Sequence, residues 1–166
     1  MSWYFAYGSN MNEARVHARI GAVRRAVPGV LEGYCLSFNK ASQVAGVAHA
    51  NVVPCVGQRV EGALFELNAE DQILAMDPFE GYPVEYNRHW LPINVDTDVV
   101  SAWVYIATAG RVADALKPAR EYLDHLLAGE AFLSSDYHRQ LAAVEVVDGL
   151  DDTALLRLGL SRQSPR

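Results

Sequence analysis

The stretch that decides the reading is Trp3-Tyr4-Phe5-Ala6-Tyr7-Gly8-Ser9-Asn10, followed at once by Met11-Asn12-Glu13-Ala14-Arg15. An aromatic, apolar run ends in a glycine and two short polar residues, and a helical pattern begins without a linker. Trp3 to Tyr7 reads as a short buried strand. Asn10 or Asn12 is placed to cap the following helix, with Glu13 in its first turn. Gly8 gives the turn backbone freedom, and the amides entering a helix point outward, where they can hold an oxyanion or a carboxylate. The plainer reading of the same four residues is a strand–turn–helix junction with no ligand at all.

Working outward, Leu31 to Phe38 alternates, Val47 to Val53 and Arg59 to Leu67 are strand candidates, and Gly62 marks a bulge in the last. Asn68 is placed to cap a short helix holding Ile73, Leu74 and Met76. Tyr86 to Val95 and Val99 to Ala107 pair across Asp96-Thr97-Asp98. The last third changes period: Pro118 opens a helix stopped by Gly129, and Ser134 or Ser135 opens another. Strands early and helices late argue for an α+β fold, and five or six strands of this length suit a small barrel without free edges. One domain is expected over residues 1–147, with a looser, partly flexible tail over 148–166 that closes on SRQSPR.

The 166 residues are half hydrophobic and carry a formal charge of -6. The chain is therefore globular, and its net charge gives no reason to expect nucleic acid or an anionic membrane as partner. Cys35 and Cys55 are too few for a disulfide framework and are expected to pack as small apolar groups. The five histidines show no metal-ligand spacing, so no metal or other cofactor is expected. Ser9 lacks the setting of a nucleophilic serine. Arg24 and Arg25 read as a solvated pair, and Trp90 and Trp103 as core residues. No secretion signal or spanning segment is seen, which makes the cytoplasm the expected location. A monomer and a homodimer are both compatible with the sequence.

The second informative stretch is Met76-Asp77-Pro78-Phe79-Glu80-Gly81-Tyr82-Pro83. Glu80 sits where a helix must end, and Phe79 and Tyr82 would desolvate it. Desolvation raises a carboxyl's pKa toward the range useful for a general base. On its own, such a residue is more often a solvated turn acid.

Taken together, Tyr7-Gly8-Ser9-Asn10 and Glu80-Gly81, with Tyr86 and Arg88 following, make the chain resemble the γ-glutamylcyclotransferase family from about Trp3 to about Glu145. The resemblance implies a small mixed β-barrel flanked by helices. It implies release of 5-oxoproline from a γ-glutamyl amino acid or amine, by attack of the substrate's own α-amine on its γ-carbonyl. Glu80 would be the base and then the acid; Tyr7, Gly8, Ser9 and Asn10 would bind substrate. Tyr122 falls near a family tyrosine on the late helix. The spelling of the loop is closest to the branch acting on γ-glutamyl amino acids. The segment from Val112 to Arg120 is expected to shape the leaving-group side. The rival reading is a binding module on the same fold, without catalysis.

Overall fold

The computed structural model describes residues 1–160. Its strands are β1 (Trp3–Ala6), β2 (Arg25–Ala41), β3 (Val47–Glu66), β4 (Tyr86–Val95), β5 (Asp98–Ala107) and the short β6 (Lys117–Pro118). They run in the order β1-β5-β4-β2-β3, and β3 returns to pair with β1, which closes a five-stranded barrel. β1 meets β3 antiparallel and β5 parallel, and β6 adds to β3 in parallel outside the ring. The expected α+β mixed barrel is therefore present.

The barrel centre is filled by Phe5, Leu31, Val60, Leu64 and Ile93, all essentially inaccessible. Gly29 and Gly62 oppose each other across β2 and β3. A side chain at Gly62 would put its Cβ 2.4 Å from the Ala6 carbonyl oxygen and 2.9 Å from the Phe5 ring. Gly62 thus marks the close approach of β1 and not a bulge, a reading that needs the partner strand to be known.

The irregularity lies elsewhere. The two strands expected at Val47–Val53 and Arg59–Leu67 are one strand, β3, interrupted where Glu32 faces Arg59 but Tyr34 faces Pro54. Residues 55–58 bulge from the ladder there, opposite Gly33. Cys55 in that bulge is joined to Cys35 by a disulfide, which corrects the expectation of two separately packed thiols. The pairing of β2 with β3 brings their Cα atoms to 5.5 Å, inside the span a disulfide bridges.

The helices are α1 (Glu13–Ile20), α2 (Asp77–Glu80), α3 (Arg120–Leu127), α4 (Ser135–Ala142) and α5 (Asp152–Arg157). Pro118 lies in β6, and α3 begins after Ala119. Ser134 caps α4, accepting from the Tyr137 amide at 3.3 Å. Asn68 caps nothing; its side chain donates to the Ala22 carbonyl at 2.7 Å, and Asp71 precedes the 3-10 turn Gln72–Ala75 that leads into α2. Trp90 stacks edge-on against Trp103 but is 47% exposed, so it lies on the outer face and not in the core. Arg25 is not merely solvated: it pairs with Glu66 at 2.9 Å and covers the Trp3 ring.

The tail expected to loosen from Asp148 is folded through Leu160. Asp151 caps α5, and Leu155, Leu158 and Leu160 are buried as part of the core, with Arg15 of α1 bonded to the Gly159 carbonyl between them. The closing SRQSPR lies outside the described residues. Among the described residues, no helix is long and apolar enough to cross a membrane.

Candidate active site

A cleft of about 360 Å³ opens at one end of the barrel. Tyr7, Gly8, Ser9, Asn10, Glu80 and Tyr122 all line it, so the structure brings together every site residue picked out from the sequence.

The loop is built by the end of β1. Tyr7 is buried and donates its hydroxyl to the Tyr105 carbonyl of the neighbouring strand β5. Gly8 has φ -112°, so its value here is room and not an unusual φ. A Cβ on it would stand 3.0 Å from the Tyr122 hydroxyl and 3.3 Å from Ala50. Ser9, Asn10 and Met11 make one 3-10 turn whose first internal bond is from the Met11 amide to the Gly8 carbonyl, 3.0 Å. The amides of Ser9 and Asn10 come before that bond and have no partner inside the turn.

Neither asparagine caps α1 with its side chain. Asn12 occupies the capping position but bonds Nδ1 of His125 at 3.0 Å. Asn10 is buried and works as a junction. Its Nδ2 donates to the Tyr4 hydroxyl at 2.9 Å and to Oε1 of Glu80 at 3.2 Å; its Oδ1 accepts from Arg19 at 3.3 Å.

Glu80 is the last residue of α2, where Gly81 turns the chain with φ 62°. Burial raises its carboxyl above the ordinary carboxylate range, against the opposing pull of Arg19, Arg15 and Lys40. The expected aromatic wall is half present. Phe79 lines the cleft, with the Arg19 guanidinium 4.9 Å over its ring. Tyr82 turns outward to stack on Arg88 at 4.7 Å. Arg88 itself makes two bonds to Asp77, at 2.9 and 3.1 Å, and so fastens the start of α2 instead of entering the cleft.

On the opposite wall, the Ala50 backbone is held by two phenols. Tyr86 donates to its carbonyl at 2.6 Å, and its amide donates to the Tyr122 hydroxyl at 2.9 Å. Tyr122 thereby keeps its own proton to offer to the cleft, and burial pushes its pKa up to about 12, which keeps it a neutral donor. His49 lies beside it, ring centres 5.2 Å apart; burial, then Lys40, brings its pKa down to about 4, so the ring is uncharged near neutrality.

Sequence reasoning missed Arg15, Arg19, Lys40, His49 and Arg157, which also line the cleft. Four cationic side chains against Glu80 and Glu85 make this the positive part of a negative protein. The signal available for two of them was spacing: Arg15 and Arg19 are four residues apart on the helix that follows the loop, and so share a face. The segment from Val112 to Arg120 is not in the cleft. Its residues 113–116 line a second cavity of about 620 Å³, beside Cys35 and Tyr137, which corrects its expected role. Among the described residues, no cluster of three or more histidine, cysteine or acidic side chains is disposed to hold a metal ion.

A closed mixed barrel with an acid and a Gly-Ser turn lining one polar cleft at its end is the class of fold that this chain builds. The model of the gamma-glutamyl cyclotransferase, AIG2-like family matches residues 4–124, and the chain belongs to that family. A solved gamma-glutamyl cyclotransferase shares the fold with a TM-score of 0.78 at 22% identity, over 90% of this chain and 91% of the other. An uncharacterised protein from Homo sapiens gives 0.77 at 23%, over 90% and 91%. A yeast gamma-glutamyl cyclotransferase specific to glutathione gives 0.60 at 13%, over 84% and 93%. At these identities the likeness is one of fold. Among curated proteins, none matches the chain.

Proposed function

We propose that the protein is a γ-glutamyl cyclotransferase that releases 5-oxoproline from a γ-glutamyl amino acid or amine, with Glu80 as proton relay. The observation that carries this is the bond from Asn10 to Glu80, which holds a raised-pKa carboxyl in one cleft with the Gly8–Ser9 turn.

A free α-amine has a pKa of about 8 and is mostly protonated at neutral pH. Glu80 takes a proton from it, and the freed nitrogen attacks the γ-carbonyl carbon four atoms along, closing a five-membered ring. The new C–N bond closes the lactam, and the old amide C–N bond breaks. The ring nitrogen sheds two protons in all, the departing nitrogen gains two, and one carboxyl relays them in turn. Attack within one molecule draws most of its rate from proximity once the cleft holds the glutamyl chain curled. Charge grows on the γ-oxygen, where one well-placed donor contributes about 3–4 kcal/mol. Tyr122 and the turn amides are the donors on hand. The chemistry calls on nothing beyond the chain's own side chains and amides.

The test is release of 5-oxoproline from a panel of γ-glutamyl amino acids and amines by the parent protein and by Glu80→Gln. Release by the parent and its loss in the variant support the reading. Silence of the parent across the panel, with ligand binding intact, would instead favour a binding module.

A further inference from the structure

Arg15 and Arg19 bring two guanidiniums to the cleft, and among the described residues each meets an acid only through space, at Glu80. Arg15 keeps only 4% of its exposure; one terminal nitrogen donates to the Gly159 carbonyl at 3.1 Å, and its Nε is buried without a partner. Arg19 spends one bond on Asn10 and rests on Phe79. Among the described residues, neither has a carboxylate within 4.0 Å, whereas Lys40, on the same cleft, has Glu85 at 3.6 Å. Leaving a buried charge unpaired is costly, and an anion bound in the cleft would offset that cost.

We propose that Arg15 and Arg19 bind the α-carboxylate of the γ-glutamyl group. This rests on the cyclotransferase reading and divides the substrate among the residues present. The Asn10 amide touches Arg19 at one end and Glu80 at the other, so a guanidinium and an acid flank a single side chain. An amino-acid head group carries its carboxylate and its ammonium on one carbon, the same pairing in reverse. With the carboxylate on the arginines and the ammonium on Glu80, the amides of the Gly8–Ser9 turn are left for the γ-oxygen. The substrate class follows. The protein takes compounds with a free α-carboxylate and rejects 4-aminobutanoyl amides, whose γ-carbonyl chemistry is the same but which lack that group.

The experiment compares a γ-glutamyl amide with the 4-aminobutanoyl amide of the same amine, which would close to 2-pyrrolidinone. For Arg19→Gln, kcat/KM on the γ-glutamyl amide falls by about 10- to 100-fold more than on the analogue, the range of a charge-assisted hydrogen bond, because the analogue feels only the loss of Arg19's through-space effect on Glu80. Arg15→Lys, which keeps the charge and loses the fork, shifts in the same direction by less. In calorimetry the parent binds 5-oxoproline well above 2-pyrrolidinone, and Arg19→Gln erases the difference. An equal loss on both amides, or equal binding of both lactams by the parent, overturns the assignment. A parent that cyclises nothing, yet prefers 5-oxoproline in an Arg19-dependent way, rejects the activity and keeps the site.

Discussion

Replacing Glu80 by glutamine removes the proton relay and little else. The amide is the same size, and its Oε1 still accepts from Asn10, so the bond at 3.2 Å survives. The other acid lining the cleft, Glu85, is held by Arg111 at 2.7 Å and Lys40 at 3.6 Å and does not replace it. Loss of a general acid–base costs about 10²- to 10⁴-fold in kcat/KM at pH 7, or about 3–5.5 kcal/mol of barrier. The loss depends on pH in a way that separates the two duties. With a substrate amine of pKa about 8, roughly a tenth is neutral at pH 7 and nearly all of it at about pH 9.5. Alkali therefore does the base's work, and the gap between variant and parent narrows by about tenfold, while the part due to protonating the leaving nitrogen stays. Stability moves the other way. Burial raises the Glu80 pKa in the folded chain, so folding holds that proton more tightly than the unfolded chain does. The parent then loses stability as pH rises from the ordinary carboxylate range through the raised pKa. Glutamine is free of that cost, so the variant is at least as stable as the parent at pH 7 and equal to it well below pH 4. The assay is chromatographic release of 5-oxoproline at both pH values, with urea unfolding beside it. Parent-like turnover at pH 7 refutes the relay, and a gap of the same size at both pH values refutes the base half of it.

Tyr122→Phe leaves the Ala50 amide without its acceptor, a loss of about 1–3 kcal/mol in unfolding free energy, and lowers turnover less than Glu80→Gln does. Unchanged kinetics would remove Tyr122 from the site. Gly62→Ala drives a methyl to 2.4 Å from the Ala6 carbonyl and against Phe5, so β1 must shift. The expected loss is about 3 kcal/mol or more, read by thermal unfolding, and a parent-like Tm would contradict the close approach. Reducing the Cys35–Cys55 disulfide, which spans 20 residues, lowers stability by up to about 3 kcal/mol. It leaves 5-oxoproline release unchanged at 25 °C, because the bond borders the second cavity and not the cleft. Loss of turnover in the still-folded reduced protein would contradict that separation.

The strands were legible where the chain alternates, and the barrel followed from their number. Which strands close it was not, because that depends on β1 pairing with both β3 and β5 across most of the sequence. The merging of two strand candidates into β3 was hidden by residues 54–58, whose Pro, Cys and Gly interrupt the strand pattern; only the partner strand shows 55–58 to be a bulge. The Gly8 turn and Glu80 could be found because each sits where a local pattern stops. Arg15, Arg19 and Lys40 could not be singled out that way. A charged residue on an amphipathic element reads as solvated until the element's neighbours are known, and the barrel rim and α5 supply those neighbours. The same limit explains the tail. Leucines at 155, 158 and 160 gain their meaning from the surface they cover.

Three acids stand near the loop, and composition gives no reason to prefer one. Their partners do. Asp77 receives two bonds from Arg88 and a third from the Tyr105 hydroxyl at 2.6 Å, so both its oxygens are committed to holding α2 against the barrel. Glu85 is clasped between Lys40 and Arg111. An acid whose two oxygens are both committed to such partners has none free to receive a proton and pass it on. Glu80 is bonded by one neutral donor, Asn10, on one oxygen, and the other is left to the cleft. Its surroundings are dry enough to raise its pKa, and the nearby guanidiniums keep that rise in check. A carboxyl balanced in this way changes protonation state at the smallest cost in free energy, as a relay between two nitrogens requires. Arg15 and Arg19 are thus placed to act twice, on the substrate's carboxylate directly and on the acid's readiness through space.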